Sequence, residues 1–195
     1  MRKKAITLLL AVLVCLLASA CRQDPLLPGE YPMELTFSSG AGAWRTTLLL
    51  NADGSFTGRY SDLDMGDMDA AYPNGTVYLC TFSGRFELLP ADDGATPLRL
   101  AELTCEDEVG RVEFRDGIRY IYSEPIGLYV YEEDRLADTL LFYPPDTPVA
   151  ELSEEMLYFW PDRYSEAPPA TLGGFALWSP ESGSAFFTYP ENYDS

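Results

Sequence analysis

The chain contains no histidine, and its two lysines both lie within the first four residues. A Ser-His-Asp or Cys-His nucleophile and a histidine-ligated zinc or iron site are therefore excluded. Beyond residue 4 there is also no lysine for a Schiff base, a Ser-Lys dyad or a Walker-type phosphate loop. Neither a GxGxxG fingerprint nor a CxxC pair occurs. These absences remove most common enzyme mechanisms.

Carboxylates are the chemical groups that remain, with 31 acidic residues against 13 basic ones. Glycoside hydrolysis requires only two carboxylates at a fixed separation. A chain with this many acids contains such pairs by chance, so their presence has no specificity. The sequence therefore predicts a protein that is not an enzyme, with a carboxylate-dependent glycosidase as the alternative.

The N-terminus has the pattern of an export signal. Met1 to Lys4 is basic, Ala5 to Leu17 is apolar and shorter than a membrane span, and three small residues precede Cys21. This pattern resembles the bacterial lipobox, which predicts a signal over residues 1–20, lipidation of Cys21, a tether over residues 21–30 and one domain over residues 31–195. The predicted location is the extracytoplasmic face of the cell membrane. The alternative is an ordinary secretory signal cleaved beside a chance cysteine.

Net charge limits the partners of the protein. The formal charge is −18, and removal of Arg2, Lys3 and Lys4 with the signal would make it −21. Such a surface repels phosphate backbones, so nucleic-acid binding is not expected. It also repels anionic lipid, which leaves the lipid anchor as the predicted contact with the membrane.

Gly42 to Tyr60 carries the clearest folding signal. Trp44, Thr46, Leu48 and Leu50 alternate along a strand, and the Asn-Ala-Asp-Gly run at 51–54 supplies turn chemistry before a returning strand. This pattern predicts a β-hairpin.

Further strands alternate with turn signals along the rest of the chain. The predicted ranges are 31–37, 76–86, 98–105, 109–114, 118–122, 126–131, 136–143, 174–179 and 185–189, with the strongest hairpin signal at Asp116-Gly117. Thr147-Pro148 predicts the N-terminus of one helix, capped by Thr147 and buried through Leu152, Met156, Leu157 and Trp160. Eight to ten antiparallel strands with one short late helix predict a lipocalin-like β-barrel, with a β-sandwich as the alternative.

Two cysteines remain when Cys15 and Cys21 are assigned to the signal and the lipid. Cys80 and Cys105 lie symmetrically about the turn signal at 90–94, so a hairpin would place them opposite each other. Export permits a disulfide between them, and two buried free thiols are the alternative.

An acidic run follows the hairpin. Asp62, Asp64, Asp67 and Asp69 are spaced so that the chain, curling at Gly66, could offer several oxygen ligands to calcium. The run does not match an EF-hand, and a solvated acidic loop is the alternative.

Aromatic residues offer a second candidate site. Trp44, Trp160 and Trp178 are candidates for lining a cavity mouth or stacking on a sugar, and packing at a barrel end is the alternative.

Two resemblances add to these expectations. Gly42-Ala43-Trp44 resembles the G-x-W signature of lipocalins, which implies an up-and-down barrel. The runs GAGAWRTTLLLNADGSFTGRYSDLDMGD, YPNGTVYLCTFSGRF and SEPIGLY are similar to those of a group of uncharacterised lipoproteins of gut Firmicutes, a likeness that covers most of the chain and implies no known activity. The sequence thus predicts a lipid-anchored barrel that binds a small apolar or saccharide ligand, or a structural or protein-interaction module of the cell envelope without a cavity.

Overall fold

The computed structural model describes residues 27–39, 42–90 and 94–189, and within these ranges the chain is mainly β-structure. In chain order the strands are β1 (Met33–Ser38), β2 (Trp44–Leu50), β3 (Ser55–Asp64), β4 (Thr76–Leu88), β5 (Thr96–Cys105), β6 (Val112–Arg115), β7 (Ile118–Tyr122), β8 (Tyr129–Val130), β9 (Arg135–Leu136), β10 (Thr139–Tyr143), β11 (Ala176–Ser179) and β12 (Ser184–Phe187). The helical elements are α1 (Glu154–Leu157) and 3₁₀ turns at Tyr131–Glu133, Val149–Glu151 and Pro161–Tyr164. Across the described ranges, no helix has the length and apolar content needed to cross a bilayer.

Eight strands form a closed antiparallel barrel in the order β3-β2-β1-β12-β11-β10-β5-β4, and β4 pairs with β3 to complete the ring. Neighbours in the ring follow one another along the chain, except that β6 to β9 are inserted between β5 and β10 and that β12 returns to β1. This is the up-and-down order of a lipocalin-like barrel. The predicted fold class is confirmed, and the sandwich alternative is wrong.

The hairpin predicted at Gly42 to Tyr60 is formed by β2 and β3. The backbone N–H of Asn51 donates to the carbonyl of Ser55 at 2.8 Å, and Gly54 closes the turn with a φ of 81°. Thr46, Leu48 and Leu50 are buried on the inward face, as the alternation predicts.

The barrel interior is filled by aromatic and aliphatic side chains. Phe56 stacks on Phe86 with ring centroids 4.5 Å apart, and it meets Phe82 edge to face at 6.3 Å. Gly58 and Gly84 lie beneath these rings, and a Cβ at either position would overlap Phe82 or Phe56. The fully buried interior also includes Leu35, Leu48, Leu50, Leu98, Leu140, Phe142 and Phe186.

Segment 125–138 covers one end of the barrel, named here the rim end. The carbonyl of Ile126 accepts a hydrogen bond from Thr46 Oγ1 at 2.8 Å, and the carbonyl of Gly127 accepts one from Ser182 Oγ at 3.0 Å. Leu128 behind them is fully buried. This segment therefore closes much of the opening that a cavity-type barrel would use.

A charged contact fastens the covering segment to the barrel. Arg135 Nη1 lies 2.6 Å from Glu181 Oε2, and the same carboxylate accepts backbone N–H bonds from Asp138 at 3.2 Å and Thr139 at 3.3 Å. Burial alone would raise the pKa of Glu181, but these hydrogen bonds outweigh it and lower the pKa. Glu181 is thus held as an anion in the turn between β11 and β12.

The opposite end of the barrel is covered by the first described residues. Leu27 is buried in the core, and the hydroxyl of Tyr31 donates to its carbonyl at 2.7 Å. A Cβ at Gly29 would meet the side chains of Met33 and Phe175. Leu27, which lies in the predicted tether, therefore packs against the barrel, while residues 28–30 are exposed.

The late helical region differs from its prediction. The predicted cap at Thr147 is wrong, because Thr147 Oγ1 donates to the carbonyl of Pro144 instead. Ser153 caps α1 by accepting from the N–H of Met156 at 3.2 Å, since Pro148 and Leu152 are extended and interrupt the helix. Met156 and Trp160 are buried, as expected, against the outer faces of β11 and β12.

The hairpin expected between residues 126–131 and 136–143, through a turn at 132–134, is formed but is shorter than those ranges. It consists of the two-residue ladder of β8 with β9 and a hydrogen bond from the N–H of Ala137 to the carbonyl of Leu128 at 3.0 Å. The rest of the second stretch forms β10, which pairs with β5 and β11 instead. Residues 126–131 also cover the rim end, where the carbonyls of Ile126 and Gly127 accept hydrogen bonds from the barrel.

Candidate functional site

A four-stranded sheet extends beyond the rim end. It consists of Ser61–Asp64 of β3, Thr76–Leu79 of β4, and the strands β7 and β6, and it is named here the extension. The outer part of β4 pairs with β7 in parallel, whereas its inner part, from Phe82 to Leu88, pairs with β5. The extension therefore arises where β4 exchanges one neighbour for another.

The inner face of the extension continues the inner wall of the barrel. Trp44, Asp62 and Tyr78 are directly paired across β2, β3 and β4, so their side chains lie in one row on that face. The register carries the row on to Ile121 and Val112. The first four are half-buried and Val112 is exposed, so the row stands at the surface rather than inside the core.

Trp44 is held in place by other rings at the rim. Its ring centroid lies 4.7 Å from that of Phe37 and 6.5 Å from that of Phe159, both at edge-on angles. The backbone of Asp62, beside it, is paired in the ladder, but its carboxylate has no hydrogen bond or ion pair with any residue in the described ranges. The indole of Trp44, packed against other rings, thus lies beside the carboxylate of Asp62, and Asp62 lies beside Tyr78.

The predicted calcium ligands are not brought together. Asp62 and Asp64 share the inner face, and Asp64 Oδ1 accepts the backbone N–H groups of Gly66 at 2.8 Å and Asp67 at 3.1 Å. Asp67 forms an ion pair with Arg119, and Asp69 accepts from the N–H of Ala71 at 3.2 Å.

No group of three or more acidic or sulfur ligands that could hold a metal is found in the described part of the chain. Asp64 and Asp69 instead accept backbone hydrogen bonds from their own loop, and Asp67 is paired with Arg119 of β7. Calcium binding stays a prediction that this geometry does not favour.

The three tryptophans do not form one site. Trp44 stands at the rim, while Trp160 and Trp178 are 5% and 7% exposed on the outside of the barrel. Trp160 Nε1 donates to the carbonyl of Leu172 at 3.3 Å, beneath the helical segment. Their burial leaves Trp44 as the tryptophan placed to meet a ligand.

Cys80 and Cys105 approach each other, but not as direct partners. Cys105 lies opposite Phe82, two residues from Cys80. The pairing beside the turn, Leu88 with Leu98, is already one residue away from direct opposition, and the bulge between Arg85 and Phe86 adds the second residue. The expectation of direct opposition is therefore wrong. Both side chains still face inward, with their sulfur atoms 3.3 Å apart and both thiols free. Cys21 lies outside the described residues.

Sequence reasoning missed Tyr78 and Arg119. Tyr78 sits in a strand that was recognised, but its place beside Asp62 depends on register. Arg119 stacks on Tyr72 with its guanidinium 4.5 Å from the ring centroid, and it bonds Thr76 Oγ1 at 3.1 Å. No local signal reveals the contacts of Arg119, because they join residues more than forty positions apart in the sequence.

Comparisons with protein-family models, with curated proteins and with solved structures gave no match.

Proposed function

We propose that this protein is a non-catalytic surface protein, held to the membrane by lipid on Cys21, that binds a saccharide on the inner face of the extension. The observation that carries the proposal is the row of Trp44, Asp62 and Tyr78 in register on three neighbouring strands. All three are half-buried, so each keeps part of its side chain accessible to solvent at the end of the barrel wall.

The chemistry of the row suits a sugar. Aromatic rings offer flat apolar surfaces with an electron-rich face, against which the C–H face of a pyranose can stack. A carboxylate accepts hydrogen bonds through two oxygens and donates none, so Asp62 is suited to a pair of ligand hydroxyls. Ligand sites generally combine an aromatic lining with a few polar groups of this kind.

An apolar ligand inside the barrel is less well supported. The rings of Phe56, Phe82 and Phe86 occupy the interior, and Leu27 and segment 125–138 cover its ends. The proposed site is therefore the rim and the extension rather than a central cavity.

The position of the N-terminal segment supports an outward-facing site. Leu27 packs at the end of the barrel opposite the rim end, and Cys21 precedes it by six residues. Six residues span at most ~20 Å. A lipid on Cys21 would then hold the opposite end near the membrane and direct the extension away from it.

Tryptophan fluorescence tests the proposal. Purified protein is titrated with a panel of soluble neutral and amino-sugar oligosaccharides, and at least one is expected to change the emission of Trp44. Asp62→Asn should weaken that binding by about tenfold, since a lost hydrogen bond to a charged group is worth about 1.5 kcal/mol.

The matched control is Tyr164→Ala, which removes an exposed aromatic remote from the row. It should leave the affinity unchanged. The proposal is wrong if no saccharide alters the emission, or if Tyr164→Ala weakens binding as much as Asp62→Asn.

A second candidate function is binding of a polypeptide along β6. This strand is the edge of the ten-stranded sheet, and it exposes Val112 and Phe114. Edge strands can accept an additional strand from another chain. Cross-linking on intact cells should recover a partner that is lost with Phe114→Lys and kept with Leu49→Lys, which alters an equally apolar residue on the barrel wall.

A further inference from the structure

Cys80 lies where β4 exchanges one neighbour for another. The carbonyl of Leu79 accepts the N–H of Ser123 at 2.9 Å, just after β7. Two residues further on, the carbonyl of Thr81 accepts the N–H of Glu106 at 2.8 Å, just after β5. Strands β5 and β7 thus both end at one point beside β4, from which they extend along β4 in opposite directions. This point is named here the fork.

Both cysteines belong to the fork. Cys105 is the last residue of β5, and its sulfur lies 3.3 Å from the sulfur of Cys80. A disulfide requires about 2.0 Å between the sulfurs. Diagonal neighbours in a ladder lie about 7–8 Å apart at Cα, so closing the remaining gap requires a shift of the end of β5 toward β4 as well as side-chain rotation. Cys80 is buried and Cys105 is partly accessible, which allows an oxidant to reach one of the two.

We propose that Cys80 and Cys105 form a disulfide that fastens the end of β5 to β4 at the base of the extension. This proposal is independent of the saccharide site, and it depends on the two thiols rather than on a ligand. The bond would hold the fork together where β4 changes its partner from β7 to β5.

The reaction is thiol–disulfide exchange with the disulfide of an oxidoreductase or of oxidised glutathione. The Cys105 thiolate attacks that disulfide and releases one thiol, which leaves a mixed disulfide on Cys105. Cys80 then loses its proton and attacks the Cys105 sulfur, and the second thiol departs. Two protein thiols are oxidised and one disulfide is reduced to two thiols.

Burial raises the pKa of the Cys80 thiol, and its hydrogen bond to Cys105 raises it further. Cys80 therefore remains protonated longer than an ordinary thiol. This order of reactivity favours Cys105 as the first thiol to react and Cys80 as the one that resolves the mixed disulfide.

Peptide mapping of the full chain tests the pairing. The protein is equilibrated in a glutathione redox buffer, its free thiols are alkylated, and it is digested with trypsin without reduction. Cleavage at arginine places Cys80 in residues 60–85 and Cys105 in residues 100–111, apart from Cys15 and Cys21. We expect these two peptides to be linked. Alkylation of both cysteines in an oxidising buffer would overturn the proposal.

Thermal melting provides a second measurement. A reductant should lower the melting temperature of the wild-type chain by about 6–12 °C. This is the shift expected when a disulfide closes a loop as long as the one between Cys80 and Cys105. The double variant Cys80→Ala/Cys105→Ala should show no shift with reductant. A wild-type chain that melts equally with and without reductant would contradict the structural role of the bond. Saccharide binding does not enter either readout, so failure of one proposal does not imply failure of the other.

Discussion

Strands β3 and β4 run through both the barrel and the extension, yet the two regions use the same strand faces differently. Within the barrel, the inward face of β3 carries Phe56, Gly58 and Tyr60, whereas in the extension it carries Asp62 and Asp64. The change occurs where the ring of strands ceases to close. An enclosed face must be apolar because its side chains lose water, while an open face can keep carboxylates hydrated.

One strand pair can therefore form both a packed core and an exposed surface. Phe82 is fully buried in the barrel, but Phe114 in the extension is 60% exposed. Stability should therefore reside in the barrel and binding in the extension. Each of the following predictions tests one side of that division.

The largest effect is expected from removal of an interior ring. Phe82→Ala should lower the free energy of unfolding by about 3–5 kcal/mol, because it leaves a cavity among packed rings. Phe114→Ala should change it by less than about 0.5 kcal/mol. Urea denaturation of both variants measures the contrast, and similar losses would show that the extension carries as much stability as the barrel.

A methyl group added inside the barrel should have the next largest effect. Gly58→Ala places a Cβ in the space of the Phe82 ring and should cost about 1–3 kcal/mol. Gly66→Ala, in the loop of the extension, should cost less than about 1 kcal/mol, because its Cβ would approach only the side chain of Asp64. If Gly58→Ala is combined with Phe82→Leu, the loss should be smaller than the sum of the two separate losses.

The stability of the barrel should depend on pH through Glu181. Its pKa lies below the ordinary value of 4.5, so its contribution is fully present above that pH and is lost as the pH falls through the lowered pKa. Glu181→Gln should cost about 1 kcal/mol at pH 7, a value reduced by solvent because the side chain is 28% exposed. The gap between the two proteins should close in acid, and a constant gap between pH 7 and pH 3 would contradict the assignment.

The smallest effect is expected from the ion pair of the extension. Asp67 and Arg119 are both partly exposed, and their coupling in a double-mutant cycle should be about 0.5 kcal/mol. Hydrogen exchange should show faster local opening of β7 in Asp67→Asn while the barrel strands stay protected. Loss of protection throughout the barrel would show that the two regions unfold together.

Turn residues explain why much of the fold was predictable from the sequence. Asn51 and Gly54 at one turn, and Asp116 and Gly117 at another, favour backbone conformations that reverse a strand locally. Asp116 and Gly117 adopt φ values of 54° and 74°, as such a turn requires. Turn preferences of this kind depend on a few adjacent residues, so the sequence alone is enough to predict them.

Long-range pairing was not predictable in the same way. The pattern of β4 indicates a strand, but nothing in it states that the partner changes at Cys80. The register that places Tyr78 beside Asp62 therefore had to come from the structure. Likewise, the burial of Trp178 on the outer wall depends on Trp160 and Met156 folding back from another segment.

The pairing of the first barrel strand with the last also has a kinetic consequence. Thr36 of β1 lies opposite Phe187 of β12, so the ring closes between residues some 150 positions apart. Closing so long a loop is entropically slow, and barrels dominated by distant contacts fold in milliseconds to seconds. Until the final strand is available, β1 has an open edge. The barrel of this chain can therefore close only after nearly all of its strands have been synthesised.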